Sequence, residues 1–125
     1  MKKIINTPHA PKAIGPYSQA VEVNGTLYIS GQIPIDPATG QVVVGGIAEQ
    51  TEQVMKNIEA ILKEAGYSFE NVVKSVCLLS TMDNFTAMNE VYGKYYAENS
   101  PARATYGVVK LPMGVLIEIE TIAVK

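Results

Sequence analysis

The sequence predicts an α+β domain, a mixed or antiparallel β-sheet with two helices packed on one face. Three observations predict it. Ser18–Val23 and Thr26–Ser30 flank Asn24-Gly25, a dipeptide that readily takes both positive-φ positions of a type I′ turn, so the two runs read as a β-hairpin. Ile47–Ala65 carries apolar residues at helical spacing. Ile117-Glu118-Ile119-Glu120 alternates with period two, so a strand there turns both isoleucines to one face and both glutamates to the other.

The elements follow in order. His9–Pro16 contains Pro11, Gly15 and Pro16 and reads as a loop before the hairpin. Asp36-Pro37-Ala38-Thr39-Gly40 is a second turn, in which proline presets φ and glycine supplies a left-handed exit. In the first helix Ile47, Thr51, Val54, Ile58, Ile61, Leu62 and Ala65 share a face opposite Glu49, Glu52, Lys56, Glu59 and Lys63, and Gly66 stops it. The apolar run Val72–Leu79 suits a buried strand. A second helix starts after Thr81 or Asp83, either of which can cap it. Its Phe85, Met88, Tyr92 and Tyr95 recur at spacings of three and four, a stripe suited to the core. Pro101 prevents its continuation. Two strands follow, near Arg103–Lys110 and Val115–Val124, joined through Leu111-Pro112-Met113-Gly114. With both helices on one face, the other face is bare, and a second subunit would cover it.

At 125 residues the chain is one domain, 1–125, and its 47% hydrophobic residues supply a core. Charged residues are 18%, below the usual level of about 25%. Either a neighbouring subunit covers part of the surface or the chain is a compact, apolar-rich monomer. The net charge of −2, and the absence of any Lys/Arg run longer than Lys2-Lys3, disfavour nucleic acid as a partner. The single cysteine, Cys77, lies in an apolar run and reads as a buried thiol. It permits no internal disulfide and fits a reducing compartment. One histidine and one cysteine do not support a zinc site, so no metal is expected. Met1–Asn6 lacks the apolar stretch of a signal peptide, and no run approaches membrane-spanning length. The expectation is a soluble cytoplasmic protein with no membrane partner.

The chemistry-bearing residues gather near the C-terminus. Glu118 and Glu120 share a face of an otherwise apolar strand, and bare carboxylates are costly to bury unless paired. Arg103, just after Pro101-Ala102, presents a guanidinium fork that grips a carboxylate through two parallel hydrogen bonds. That carboxylate is either a ligand's or, in a structural salt bridge, that of Glu118 or Glu120. Either glutamate is ionised at neutral pH and able to activate water as a general base, or both lie on a solvated face. Tyr17 sits where a loop enters a strand, as a ligand-facing hydroxyl or an anchoring ring. Ser30-Gly31-Gln32 ends the hairpin, where Gly31 admits a close backbone approach or marks a bulge. Asn89 reads as a solvated helix residue, and His9 as an exposed loop residue with no triad partner.

Together, Ala13-Ile14-Gly15-Pro16-Tyr17-Ser18-Gln19, Ser30-Gly31-Gln32-Ile33-Pro34, Asn89-Glu90-Val91-Tyr92, Pro101-Ala102-Arg103 and Ile117-Glu118-Ile119-Glu120 resemble the RidA (YjgF) family in order and approximate spacing over nearly the whole chain. The resemblance implies a chorismate-mutase-like fold and a homotrimer, its sheets lining a central barrel and its sites in the clefts between subunits. It implies a cofactor-free deaminase that hydrolyses reactive 2-imino acids, or enamines such as 2-aminoacrylate, to 2-oxo acids and ammonia. Such imines, 2-iminobutanoate and 2-iminopropanoate among them, leak from pyridoxal-phosphate dehydratases, so the activity limits metabolite damage. By position, Arg103 matches the residue that grips the substrate carboxylate and Glu118 the one that positions or activates water. Tyr17, Ser30, Gly31 and Asn89 match pocket-shaping positions. The family often has cysteine where this chain has Thr105, a contact position and not a nucleophile, which acts either through its backbone N–H, so that the change is mild, or through a side chain that tunes substrate choice. Two rival readings stand beside this one: a regulatory protein that binds a carboxylic acid without turnover, and an endoribonuclease.

Overall fold

Asn24 and Gly25 take φ values of 49° and 77° and close the first hairpin, as a type I′ turn requires. The computed structural model describes all residues, Met1–Lys125. The elements are β1 (Lys3–Ile5), β2 (Ala20–Val23), β3 (Thr26–Gln32), the two-residue strands β4 (Ile35–Asp36) and β5 (Gln41–Val42), α1 (Ile47–Ala65), β6 (Val72–Leu79), α2 (Phe85–Tyr95), β7 (Ala102–Gly107) and β8 (Ile117–Val124). Six strands form one sheet in the order β1-β2-β3-β8-β6-β7, and β4 and β5 pair separately. Every pair in the large sheet is antiparallel except β6–β7, whose parallel pairing needs the crossover that α2 supplies. The sheet is therefore mixed.

Both helices cover one face. Val54, Met55, Ile58, Ile61 and Leu62 of α1 and Met88 and Tyr92 of α2 join Leu27, Ile29, Cys77, Leu79, Ile117 and Ile119 in a single core. Gly66, at φ 81°, ends α1, and the Tyr67 N–H donates to the Leu62 carbonyl. The opposite face has no cover within the chain. Register places Ile4, Tyr28 and Tyr106 on it, each about half exposed. No helix is long and apolar enough to cross a membrane.

Several boundaries differ from the sequence reading. The first hairpin strand begins at Ala20, because Ser18 uses its carbonyl to accept from the Ser30 hydroxyl at 2.6 Å. Thr81 does cap, accepting at 3.2 Å from the Asp83 N–H, but it caps a 3₁₀ turn over Met82–Asn84, and α2 proper starts at Phe85. The β7 strand ends at Gly107 rather than Lys110, and β8 starts at Ile117 rather than Val115. The intervening turn has Met113 in the left-handed region, at φ 56°. Strands β1, β4 and β5 were not expected.

Candidate active site

The alternation of β8 settles where its acids point. Ile117 and Ile119 are fully buried beneath the helices, while Glu118 is half-buried and Glu120 exposed on the bare face. Between Ile29↔Thr121 and Gln32↔Ile119 the register with β3 shifts, so Ser30 and Gly31 stand opposite the single residue Glu120. The bulge brings Gly31 against Glu118. A side chain at Gly31 would collide with the Glu118 carboxylate, so this glycine is needed for a close approach and not for a positive φ. An open cleft of about 460 Å³ lies here, lined by Tyr17, Ser30, Gly31, Ile33, Pro112, Glu118 and Glu120. Tyr17 is half exposed, and its hydroxyl accepts from the Ile14 N–H at 3.3 Å. Burial holds the Glu118 carboxyl above the usual carboxylate range, and the neighbouring Glu120 adds to the rise. A carboxylate so placed is a better base than an ordinary glutamate.

A second group of the same residues lies elsewhere. Arg103 is on the edge strand β7 and donates from Nη1 to the Asn89 Oδ1 of α2 at 2.7 Å. Its guanidinium carbon lies 5.0 Å from the Tyr92 ring centre and 5.6 Å from that of Phe85. Asn89 is therefore a partner of Arg103 rather than a free solvated side chain, and Phe85 and Tyr92 serve the arginine as well as the core. Thr105 pairs with Cys77, and its hydroxyl is buried without a hydrogen-bond partner. Burial pushes the Cys77 thiol up to about 11, only partly opposed by Arg103 and Thr105. It stays protonated at neutral pH and is no nucleophile.

These two groups are on opposite faces of one sheet. In β6, Ser75 and Cys77 face the helices, whereas Val76 and Leu78 face away. Arg103 pairs with Ser75 and Thr105 with Cys77, so both share the helix-covered side. Glu118 pairs with Leu78 and Glu120 with Val76, so both share the bare side. A structural salt bridge from Arg103 to either glutamate, left open by the sequence, is replaced by the bond to Asn89. The structure brings together Tyr17, Ser30, Gly31 and Glu118, and separately Asn89, Arg103 and Thr105. The family resemblance had named each member, but nothing local in the sequence separates the groups. Gln50, which accepts from the Leu116 N–H at 2.8 Å, and Asn57, which donates to the Ile33 and Ile35 carbonyls at 3.2 and 3.0 Å, also hold the cleft and were missed. Their only signal was two amides in a helix rich in polar residues.

His9 is exposed on the loop after β1, where it lines a surface hollow with Lys56, Glu59 and Lys63 of α1. No cluster of three or more His, Cys, Asp or Glu side chains is arranged to hold a metal ion.

Residues 7–125 match the sequence family described as Endoribonuclease L-PSP. Human 2-iminobutanoate/2-iminopropanoate deaminase is 52% identical over 125 residues, 100% of this chain and 91% of the relative. A crystal structure from Thermotoga maritima, described as a proposed endoribonuclease, superposes with a TM-score of 0.98 at 52% identity, covering 100% of this chain and 98% of that one. Escherichia coli TdcF, crystallised with bound serine, superposes with a TM-score of 0.94 at 36% identity over 98% of both chains.

Proposed function

The chain belongs to the endoribonuclease L-PSP family, also called RidA or YjgF, and on that premise we propose that it is a hydrolytic deaminase of 2-imino acids. Its substrates are 2-iminobutanoate and 2-iminopropanoate, the latter in exchange with 2-aminoacrylate, and enzymes such as pyridoxal-phosphate dehydratases supply them. The observation that carries the reading is Arg103. It is exposed, stacked against two aromatic rings and braced by Asn89, and its guanidinium makes no other hydrogen bond within the chain. That is a preorganised receptor for a carboxylate.

The site works between copies. Arg103 and Glu118 lie on opposite faces of their own sheet, so Arg103 of one copy meets the Glu118 cleft of another in a homotrimer whose bare sheet faces line a central barrel. Arg103 grips the substrate carboxylate, while Glu118 takes a proton from water as the oxygen bonds to the C=N carbon. The imine nitrogen already draws electrons from that carbon, so no covalent nucleophile is needed. The carbinolamine formed then loses its C–N bond. The nitrogen takes the proton held by Glu118, directly or through Tyr17, and departs as ammonia, while the hydroxyl oxygen forms its second C–O bond and releases its own proton, which ends on the ammonia as ammonium. Iminium and water in, 2-oxo acid and ammonium out, the atoms balance with no redox change. Ser30, Gly31 and Thr105 shape the cleft walls.

The test is a coupled assay with threonine dehydratase, with semicarbazide trapping residual imine. Added protein accelerates imine loss and Arg103→Ala abolishes the acceleration. No acceleration, or full activity in Arg103→Ala, overturns the assignment. Serine bound in TdcF favours one second reading, a carboxylate receptor without turnover. Calorimetry on Glu118→Gln separates the two: retained 2-oxobutanoate affinity with lost turnover supports the enzyme. The family description's endoribonuclease finds no basic track in a chain of net charge −2.

A further inference from the structure

The close approach of Glu118 to Gly31 is not held by the sheet alone. The last β3–β8 pair is Gln32↔Ile119, and Glu118 pairs on its other side with Leu78 of β6. Beyond that point the two chain segments that form the cleft part company. What spans them is one stripe of α1. Gln50, Gln53 and Asn57 recur at spacings of three and four and so lie along one side of the helix. Asn57 Nδ2 donates to the Ile33 and Ile35 carbonyls, just beyond the bulge, and Gln53 Nε2 donates to Asn57 Oδ1 at 2.9 Å. Gln50 Oε1 accepts from the Leu116 N–H, two residues before Glu118.

Gln50 is 7% exposed and Asn57 1%. Amides this deep are tolerated only when bonded, and an apolar residue would pack at either place with no such demand. Here their bonds tie one rigid helix to both walls of the cleft. We propose that Gln50 and Asn57 are positioning residues that set the approach of the Glu118 carboxylate to Gly31, and hence the direction in which Glu118 addresses water. This inference rests on the catalytic reading of Glu118. A displacement of about 1 Å is enough to cost on the order of a hundredfold in rate.

The bonds dictate which substitutions matter. Gln50 acts only as an acceptor, so Gln50→Glu keeps the bond and Gln50→Met removes it. Toward the Ile33 and Ile35 carbonyls Asn57 acts as a donor, so Asn57→Asp turns an acceptor onto both and Asn57→Leu leaves them bare. Gln50→Met and Asn57→Leu are expected to lower kcat at least tenfold with little change in KM, because Arg103, on the other face, still holds the carboxylate. Gln50→Glu is expected to stay within about threefold of the parent, since it keeps the positioning bond.

A second readout does not depend on turnover. In the parent protein the Gly31 amide resonance should move as Glu118 titrates, followed by NMR against pH. In Gln50→Met that movement should collapse, while in Gln50→Glu it should persist. A Gln50→Met protein with parental kcat and an unchanged Gly31 response overturns the proposal, as does equal damage from Gln50→Glu and Gln50→Met. Should Gln50→Met fail to fold, Asn57→Ser, which keeps a shorter donor, takes its place and is expected to weaken the Gly31 response. If the parent hydrolyses no imine yet the Gly31 response follows this pattern, the positioning stands and the reading of the reaction falls.

Discussion

Glu118 and Gly31 form the tightest constraint at the level of single residues. A Cβ at Gly31 has no room beside the Glu118 carboxylate. Gly31 has no positive φ, so the backbone tolerates alanine and the effect falls on the site. Gly31→Ala should swing Glu118 aside and lower kcat by tenfold or more, with 2-oxobutanoate affinity nearly kept, as steady-state kinetics and calorimetry would show. The proton on Glu118 makes a second prediction. Activity needs the ionised carboxylate, so its acid limb should lie above the usual carboxylate range, and Glu120→Gln should move that limb to lower pH by removing one cause of the rise. The sign for stability is the reverse of a salt-bridged acid. Folded protein binds this proton more tightly than unfolded, so the contribution is full in acid below the ordinary carboxylate pKa and is lost as pH rises through the raised one. Glu118→Gln should therefore be more stable than the parent above that window and show no gain in acid, measured by urea unfolding against pH.

At the level of elements, legibility follows how local the determining signal is. The Asn24-Gly25 turn and the ends of α1 and β6 were readable because two residues fix the turn, and Gly66 and an apolar run fix the others. The β1 strand was not, because three residues with only Ile5 buried carry no period. The β4–β5 ribbon was hidden behind its own turn, visible as Asp36–Gly40 but flanked by strands of two residues. Gln50 and Asn57 were indistinguishable from solvated helix residues, since their partners are 66 and 22 to 24 positions away. The stripe on α2 read correctly as core, yet its second role under Arg103 depended on where β7 lands. Beneath it, Ser75 lies near enough to Tyr92 and Tyr96 to temper the rise that burial causes in their pKa values, but none of the three hydroxyls makes a hydrogen bond of sound geometry. Tyr96→Phe removes a buried hydroxyl that no protein group satisfies and should raise stability by about 1 kcal/mol, read from thermal or urea unfolding.

The whole molecule explains why residues close together in the sequence stand on opposite faces of the sheet. Arg103 and Glu118 are fifteen positions apart in sequence, yet β6 lies between their strands, and its alternation sends one to each face. A site that uses both must cross from one copy of the chain to another, and the uncovered face bearing Tyr28, Tyr106 and Ile4 is the surface such copies would share. Mixing two inactive variants tests this most directly. Arg103→Ala and Glu118→Gln are each expected to be inactive alone. When the two are refolded together at equal amounts and mix at random in the proposed trimer, half of the positions supplying arginine and half of those supplying glutamate keep their residue, so about a quarter of the parental imine hydrolysis should return. Mixed trimers, verified by native mass spectrometry, that regain no activity would contradict a site shared between copies.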